Sequence, residues 1–235
     1  MPLNGFSLEE YRKLLLELVL AGYDFRFFDG IYDRNGVVFL RHDVDFCVRY
    51  AVEIAVLEYE LGIRSTFFFL INSALYNLFA SENLRAIKKI VDMGHMICLH
   101  ADEEALQDLT PNDKRTYLKG QLTALTSVLP FANGHIISRH RPNLSKPSDW
   151  LPSEYLDVYS PPFFKDIEYA SDSHGTWRYG SPTERKAFQK KVSFQLLTHP
   201  IWWTAAGETS SDKINDMLYE RYLASKEYVT IYDFK

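Results

Sequence analysis

The chain has 235 residues, 46% hydrophobic and 24% charged, with a formal net charge of −5. That length supports one large domain or two small ones, and an acidic balance with no basic run argues against nucleic acid as a partner. Two cysteines, Cys47 and Cys98, are too few for a disulfide framework or a thiolate zinc site.

The first stretch, MPLNGFSLEEYRKLLLELVLAG, has neither the positive start nor the apolar core of a signal peptide, and Glu17 interrupts its longest apolar run. A cytoplasmic location and no membrane span are the expectations. Ser7 followed by Glu10 reads as a capping box opening an amphipathic helix over about 8–22. An apolar run at 37–42 suits a buried parallel strand, followed by a helix over about 47–61 that Gly62 stops. Next come a strand at 64–71, a helix at 81–94 ending on Gly, and a strand at 95–100. A helix at 111–127 leads to a strand at 135–140, and the proline-bearing stretch 142–162 reads as ordered loop because aromatics run through it. Short strands near 155–159 and 166–171, a helix at 182–190, a strand at 192–199 and a helix at 212–227 complete the chain. Alternating strand and helix predict an α/β protein with a parallel sheet, and the count fits a closed or partly closed (β/α) barrel better than an open doubly wound sheet.

The polar residues gather where these strands end. Arg41-His42-Asp43-Val44-Asp45, His100-Ala101-Asp102, Ser138-Arg139-His140-Arg141, Ser171-Asp172-Ser173 and Thr198-His199 each follow an apolar run. That end of a parallel sheet is where ligands bind in barrels and open sheets alike. The period of two puts Asp43 and Asp45 on one face and His42 and Val44 on the other. Two neighbouring carboxylates repel unless a cation or an arginine lies between them. His100 and His140 offer nitrogen ligands, and Arg139 or Arg141 a counter-charge. One carboxylate and two imidazoles suit zinc or a similar divalent metal with a position left for water. The second carboxylate is then free as a base, and His199 is placed to protonate a leaving group. His42 reads as a packed core group or a hydrogen-bonding support, and His95 as structural.

The ordered motifs LRHDVD, GIRSTFFFL, GHMICLH, SRHRP, YASDSHGTW and LLTHPIWW, spanning about 36–205, resemble the polysaccharide deacetylase superfamily. The resemblance is closest to the branch associated with bacterial surface polysaccharide and O-antigen biosynthesis. It implies a single domain with a distorted, TIM-like (β/α) barrel of about seven parallel strands, preceded by a helical extension over 1–30. It further implies a metal-dependent hydrolase that removes an acetyl group from a sugar or sugar precursor. Carried over by position, Asp43 is the base, Asp45 a metal ligand and His100 the first metal histidine. Arg141 tethers the base, His199 is the acid, Asp172 orients it, Trp177 walls the pocket, and Trp202 is a candidate for stacking on substrate.

Two departures stand against the pattern. The better-known members have adjacent aspartates where Val44 separates Asp43 from Asp45, so the two roles could be exchanged. They also carry a second metal histidine where this chain has Glu104, which leaves His140, Asp102 or Glu104 as the third ligand, with His140 favoured. A non-catalytic carbohydrate-binding relative and an amidohydrolase acting on a small non-sugar amide are the competing expectations.

Overall fold

The structure is a computed structural model and describes residues 5–28, 35–144 and 150–231. Parts of the expected N-terminal extension and of the 142–162 loop lie outside those residues. The elements run α1 (Leu8–Leu20), β1 (Asp24–Phe25), β2 (Val37–Val44), α2 (Val48–Glu60), β3 (Thr66–Phe69), α3 (Ser81–Asp92), β4 (Met96–Asp102), α4 (Pro111–Val128) and β5 (Asn133–His140). They continue with β6 (Leu156–Asp157), α5 (Pro161–Phe164), β7 (Glu168–Ser171), α6 (Lys186–Gln189), β8 (Phe194–Thr198), α7 (Pro200–Thr204) and α8 (Ser210–Ile231).

Seven strands form one curled parallel sheet in the order β6-β5-β4-β3-β2-β8-β7, with β1 as a further partner of β2. The result is a distorted α/β barrel. All eight residues of β2 are buried, because this central strand has the barrel lumen on one side and the helices on the other. Val37, Phe39, Phe68, Cys98 and Ile136 pack in the lumen with Val158, Phe163 and Ile167. Val38, Leu40, Phe67, Phe69, Ile97, Leu99 and Leu196 pack outward in a second cluster that includes Leu15 and Leu18 of α1 and Ile54 of α2.

The expected helices and strands are present with ends shifted by a few residues, as fraying and assignment conventions allow. The 182–190 segment divides into a 3₁₀ turn and α6. Unforeseen were β1, α5 and α7, all too short to show a periodicity. Of the expected capping box α1 carries one half: Ser7 Oγ accepts from Glu10 N–H at 3.2 Å, while the Glu10 carboxylate pairs with Lys13. α3 exits through Gly94 at φ +88, where a Cβ would stand 2.6 Å from Arg64 Nε, so only glycine turns the chain into β4 here.

Candidate active site

Alternation along each strand builds the lumen in layers. On β2 the inward residues pass from Phe39 to Arg41 and Asp43, and Asp45 follows just beyond the strand. On β4 Cys98 gives way to His100, and on β5 Ile136 gives way to Ser138. The apolar floor thus becomes a polar mouth at the C-terminal ends of the strands.

Asp43 is 2% exposed. Its Oδ2 lies 3.4 Å from Arg41 Nη2 and accepts from Ser138 Oγ at 3.3 Å, while its Oδ1 is buried without a hydrogen-bond partner. Arg41 is fully buried; it donates to Ser138 Oγ at 2.9 Å and to Tyr159 Oη at 2.6 Å, and its guanidinium lies over the Tyr159 ring. One Asp43 oxygen is therefore held and the other is left unpaired.

Asp45 Oδ1 is likewise buried and unpartnered, 3.3 Å from His100 Nε2. Burial alone would push Asp45 up, but the imidazoles around it, His100 first and then His199 and His140, hold it below the usual carboxylate range. His100 Nδ1 is 3.2 Å from the carbonyl oxygen of Ser138, which can only accept. That contact puts a proton on Nδ1 and leaves Nε2 turned toward Asp45.

His199 sits opposite. Its backbone N–H donates to both oxygens of Asp172, and its Nδ1 donates to Asp172 Oδ1 at 2.6 Å. Trp203 Nε1 donates to Asp172 Oδ2 at 2.8 Å, so this fully buried carboxylate spends its acceptors on orienting one imidazole. Burial would lower His199, but the charge and hydrogen bond of Asp172, with Asp45 and Asp43 behind them, raise it to about 9. Nε2 is left facing the mouth, 3.8 Å from Asp45 Oδ2.

Asp43, Asp45, His100, His199 and Asp172 are thus gathered in one place. Arg141 is not with them: it lies past the end of β5 at φ +56, exposed, and pairs with Glu104 at 2.7 Å. The tether expected from Arg141 comes instead from Arg41, which shares the face of Asp43 because it is two residues away on the same strand. Arg139, the other expected counter-charge, is committed to Glu103 at 2.6 Å and Asp157 at 2.9 Å. Trp202 is 4% exposed and packs against Phe46. Trp177 is half-buried against Phe6 and Trp203. Sequence reasoning missed Arg41, Ser138 and Trp203; the two-residue spacing from Asp43 was the available signal for Arg41, and none marked Trp203 over Trp202.

The donor set suits a divalent cation in kind. Asp45 Oδ1 and His100 Nε2 are two unspent donors side by side, and His140, its ring 5.2 Å from that of His100, has a buried Nδ1 without a hydrogen-bond partner. Glu104 is turned outward to Arg141. Asp102 already accepts from Glu104 N–H at 3.0 Å and from Asn72 at 2.9 Å. Among the described residues no three His, Cys, Asp or Glu side chains already converge as a finished cage.

The fold is shared with a solved deacetylase structure. The chitin deacetylase from the fungal pathogen Colletotrichum lindemuthianum superposes with a TM-score of 0.54 at 17% identity, over 80% of this chain and 83% of that one. The Streptococcus pyogenes deacetylase PplD in complex with acetate gives 0.48 at 13% identity, over 90% and 87%. A family 4 carbohydrate esterase from Streptomyces lividans in complex with acetate gives 0.47 at 16% identity, over 83% and 91%. No protein-family model matches the sequence, and no curated protein does.

Proposed function

We propose that this protein is a metal-dependent hydrolase that removes an acyl group, acetyl in the first instance, from an amino sugar or acylated sugar. The observation that carries the reading is the mouth itself: Asp43, one oxygen held by Arg41 and Ser138, lines it together with an imidazole backed by a buried carboxylate, His199–Asp172. That pairing of a base and an acid in one cleft is what acyl transfer to water requires.

Asp45, His100 and His140 would hold the ion, zinc being the choice their nitrogen and oxygen donors suit best. Bound there, it would supply Lewis-acid polarisation and ease ionisation of water. The protein's own groups do the rest. Asp43 Oδ1 takes a proton from water as its oxygen bonds to the acyl carbon; Arg41 and Ser138 keep Oδ2 in place meanwhile. His199 Nε2 gives a proton to the leaving nitrogen or oxygen as the bond to the acyl carbon breaks, and Asp172 stabilises the ring through Nδ1. If Val44 exchanges the roles of the two aspartates, Asp45 would have to surrender His100; the tether on Asp43 favours the assignment given.

The motif wording favours a precursor of cell-surface polysaccharide or O-antigen as substrate, met in the cytoplasm. No described helix is long and apolar enough to cross a membrane. The test is acetate release from N-acetylglucosamine oligosaccharides and from 4-nitrophenyl acetate, by wild type and by Asp43→Asn. Release by wild type alone supports the reading; equal release by both removes Asp43 from it.

A further inference from the structure

Behind β2, on the face turned away from the lumen, lies a second cluster of ionisable groups that the reaction does not use. Glu58 of α2 is fully buried. Its Oε1 accepts from Tyr11 Oη at 2.5 Å and lies 2.8 Å from His42 Nε2. Its Oε2 accepts from Ser65 Oγ at 2.5 Å. His95 Nδ1 accepts from Ser65 N–H at 3.2 Å while its Nε2 is 3.1 Å from the carbonyl of Ala55, so His95 is a neutral ring. Burial pushes Glu58 up, but the neighbouring His42 and the Ser65 hydroxyl bring it below the ordinary range.

His42 carries this cluster across the sheet. Its Nδ1 is 2.7 Å from Thr198 Oγ1, and the two residues are register partners on β2 and β8. His42 directly precedes Asp43 and Thr198 directly precedes His199. The side-chain bond on the back face therefore joins the strands at the very residues next to the base and the acid on the front. Packing alone could bury this position as well with apolar side chains, often at no loss of stability. A directional bond does something apolar contact cannot, because it is satisfied at one separation and one angle only.

We propose that Glu58 and His42 are positioning residues: through Thr198 they set the placement of His199 relative to Asp43. The inference rests on the roles given to Asp43 and His199 above. Misplacement by a fraction of an ångström is enough to cost about tenfold in turnover.

The test uses the full chain with its metal. Glu58→Gln keeps the side-chain shape and removes the charge; Thr198→Val keeps the shape and removes the hydroxyl; Thr198→Ser restores it. The first two should each lower kcat on 4-nitrophenyl acetate about tenfold with KM within about twofold, and together cost no more than either alone, as residues acting in one chain do. Thr198→Ser should match wild type. The His199 ring signals in 1H–15N spectra, read without substrate, should shift in both variants. Losses of thermal stability with kcat and those signals unchanged would overturn the proposal. A wild-type chain that hydrolyses neither acetyl probe, with the His199 signals still shifting in both variants, sinks the deacylase reading and leaves the positioning intact.

Discussion

Two polar clusters sit back to back across β2, and they are built differently. On the lumen side, Asp43 Oδ1, Asp45 Oδ1 and His140 Nδ1 are buried with no hydrogen-bond partner. On the outer side, both oxygens of Glu58 accept from hydroxyls, those of Tyr11 and Ser65, and His42 Nε2, 2.8 Å from Oε1, is the one atom of the cluster outside a well-formed hydrogen bond. Leaving a buried polar atom unpaired costs about 1–3 kcal/mol, so natural chains rarely tolerate several together. The mouth does, and a ligand or ion that completes those bonds is the simplest physical reason. The outer cluster spends its acceptors on the fold. Unspent polar atoms mark where the chain expects company; spent ones mark where it holds itself.

The sharpest way to break this contrast is to remove the reacting groups. Asp43→Asn and His199→Ala should each lower acetate release by about 10²- to 10⁴-fold while the chain still folds, at a reduced thermal midpoint, since each leaves a buried partner, Arg41 or Asp172, less well paired. A variant in which the fold collapsed and activity fell in parallel would make the mouth structural like the back. Metal analysis of the purified chain should find about one divalent ion, and chelation should stop turnover; Asp45→Asn should lose the ion. The outer cluster should answer in the other currency. Glu58→Ala strands His42, Tyr11 and Ser65 in a dry interior and should cost about 3–5 kcal/mol in a urea titration.

The outer cluster also predicts an acid limb of stability. Burial holds His95 below the ordinary imidazole range, so below about pH 6.5 the unfolded chain takes up a proton that the fold refuses, and stability falls. Glu58 is held below the ordinary carboxylate range; its contribution is complete above about pH 4.3 and is lost as pH drops through its lower folded value. Urea midpoints of wild type and Glu58→Gln should therefore converge at low pH. The smallest effect belongs to Arg141→Ala. Its exposed pair with Glu104 should be worth less than about 1 kcal/mol, and activity should stay within about twofold, whereas Arg41→Met should impair turnover by freeing Asp43.

Much of the site was legible before any coordinates. The alternation that put Asp43 and Asp45 on one face and His42 on the other is a property of a single strand, and β2 keeps it. The expectation that His42 would be packed or hydrogen-bonded also holds, with Thr198 as its partner. Arg141 misled because the adjacent Arg-Pro matched a motif while the backbone there turns at φ +56 and points the side chain outward. Trp202 and Trp203 are indistinguishable in the sequence, yet only Trp203 reaches Asp172.

The sequence by itself determined the order of strands and helices, the polar strand ends and which residues share a face, because those follow from local periodicity and from where an apolar run stops. Only the tertiary structure decided who meets whom. Arg41 and not Arg141 beside Asp43, Glu104 turned outward, and Glu58 reaching Tyr11, His42 and Ser65 all depend on contacts between residues far apart in the chain or on a single backbone angle beyond a strand end. No local pattern encodes such distances, since they are set by how the sheet curls and which helices pack behind it.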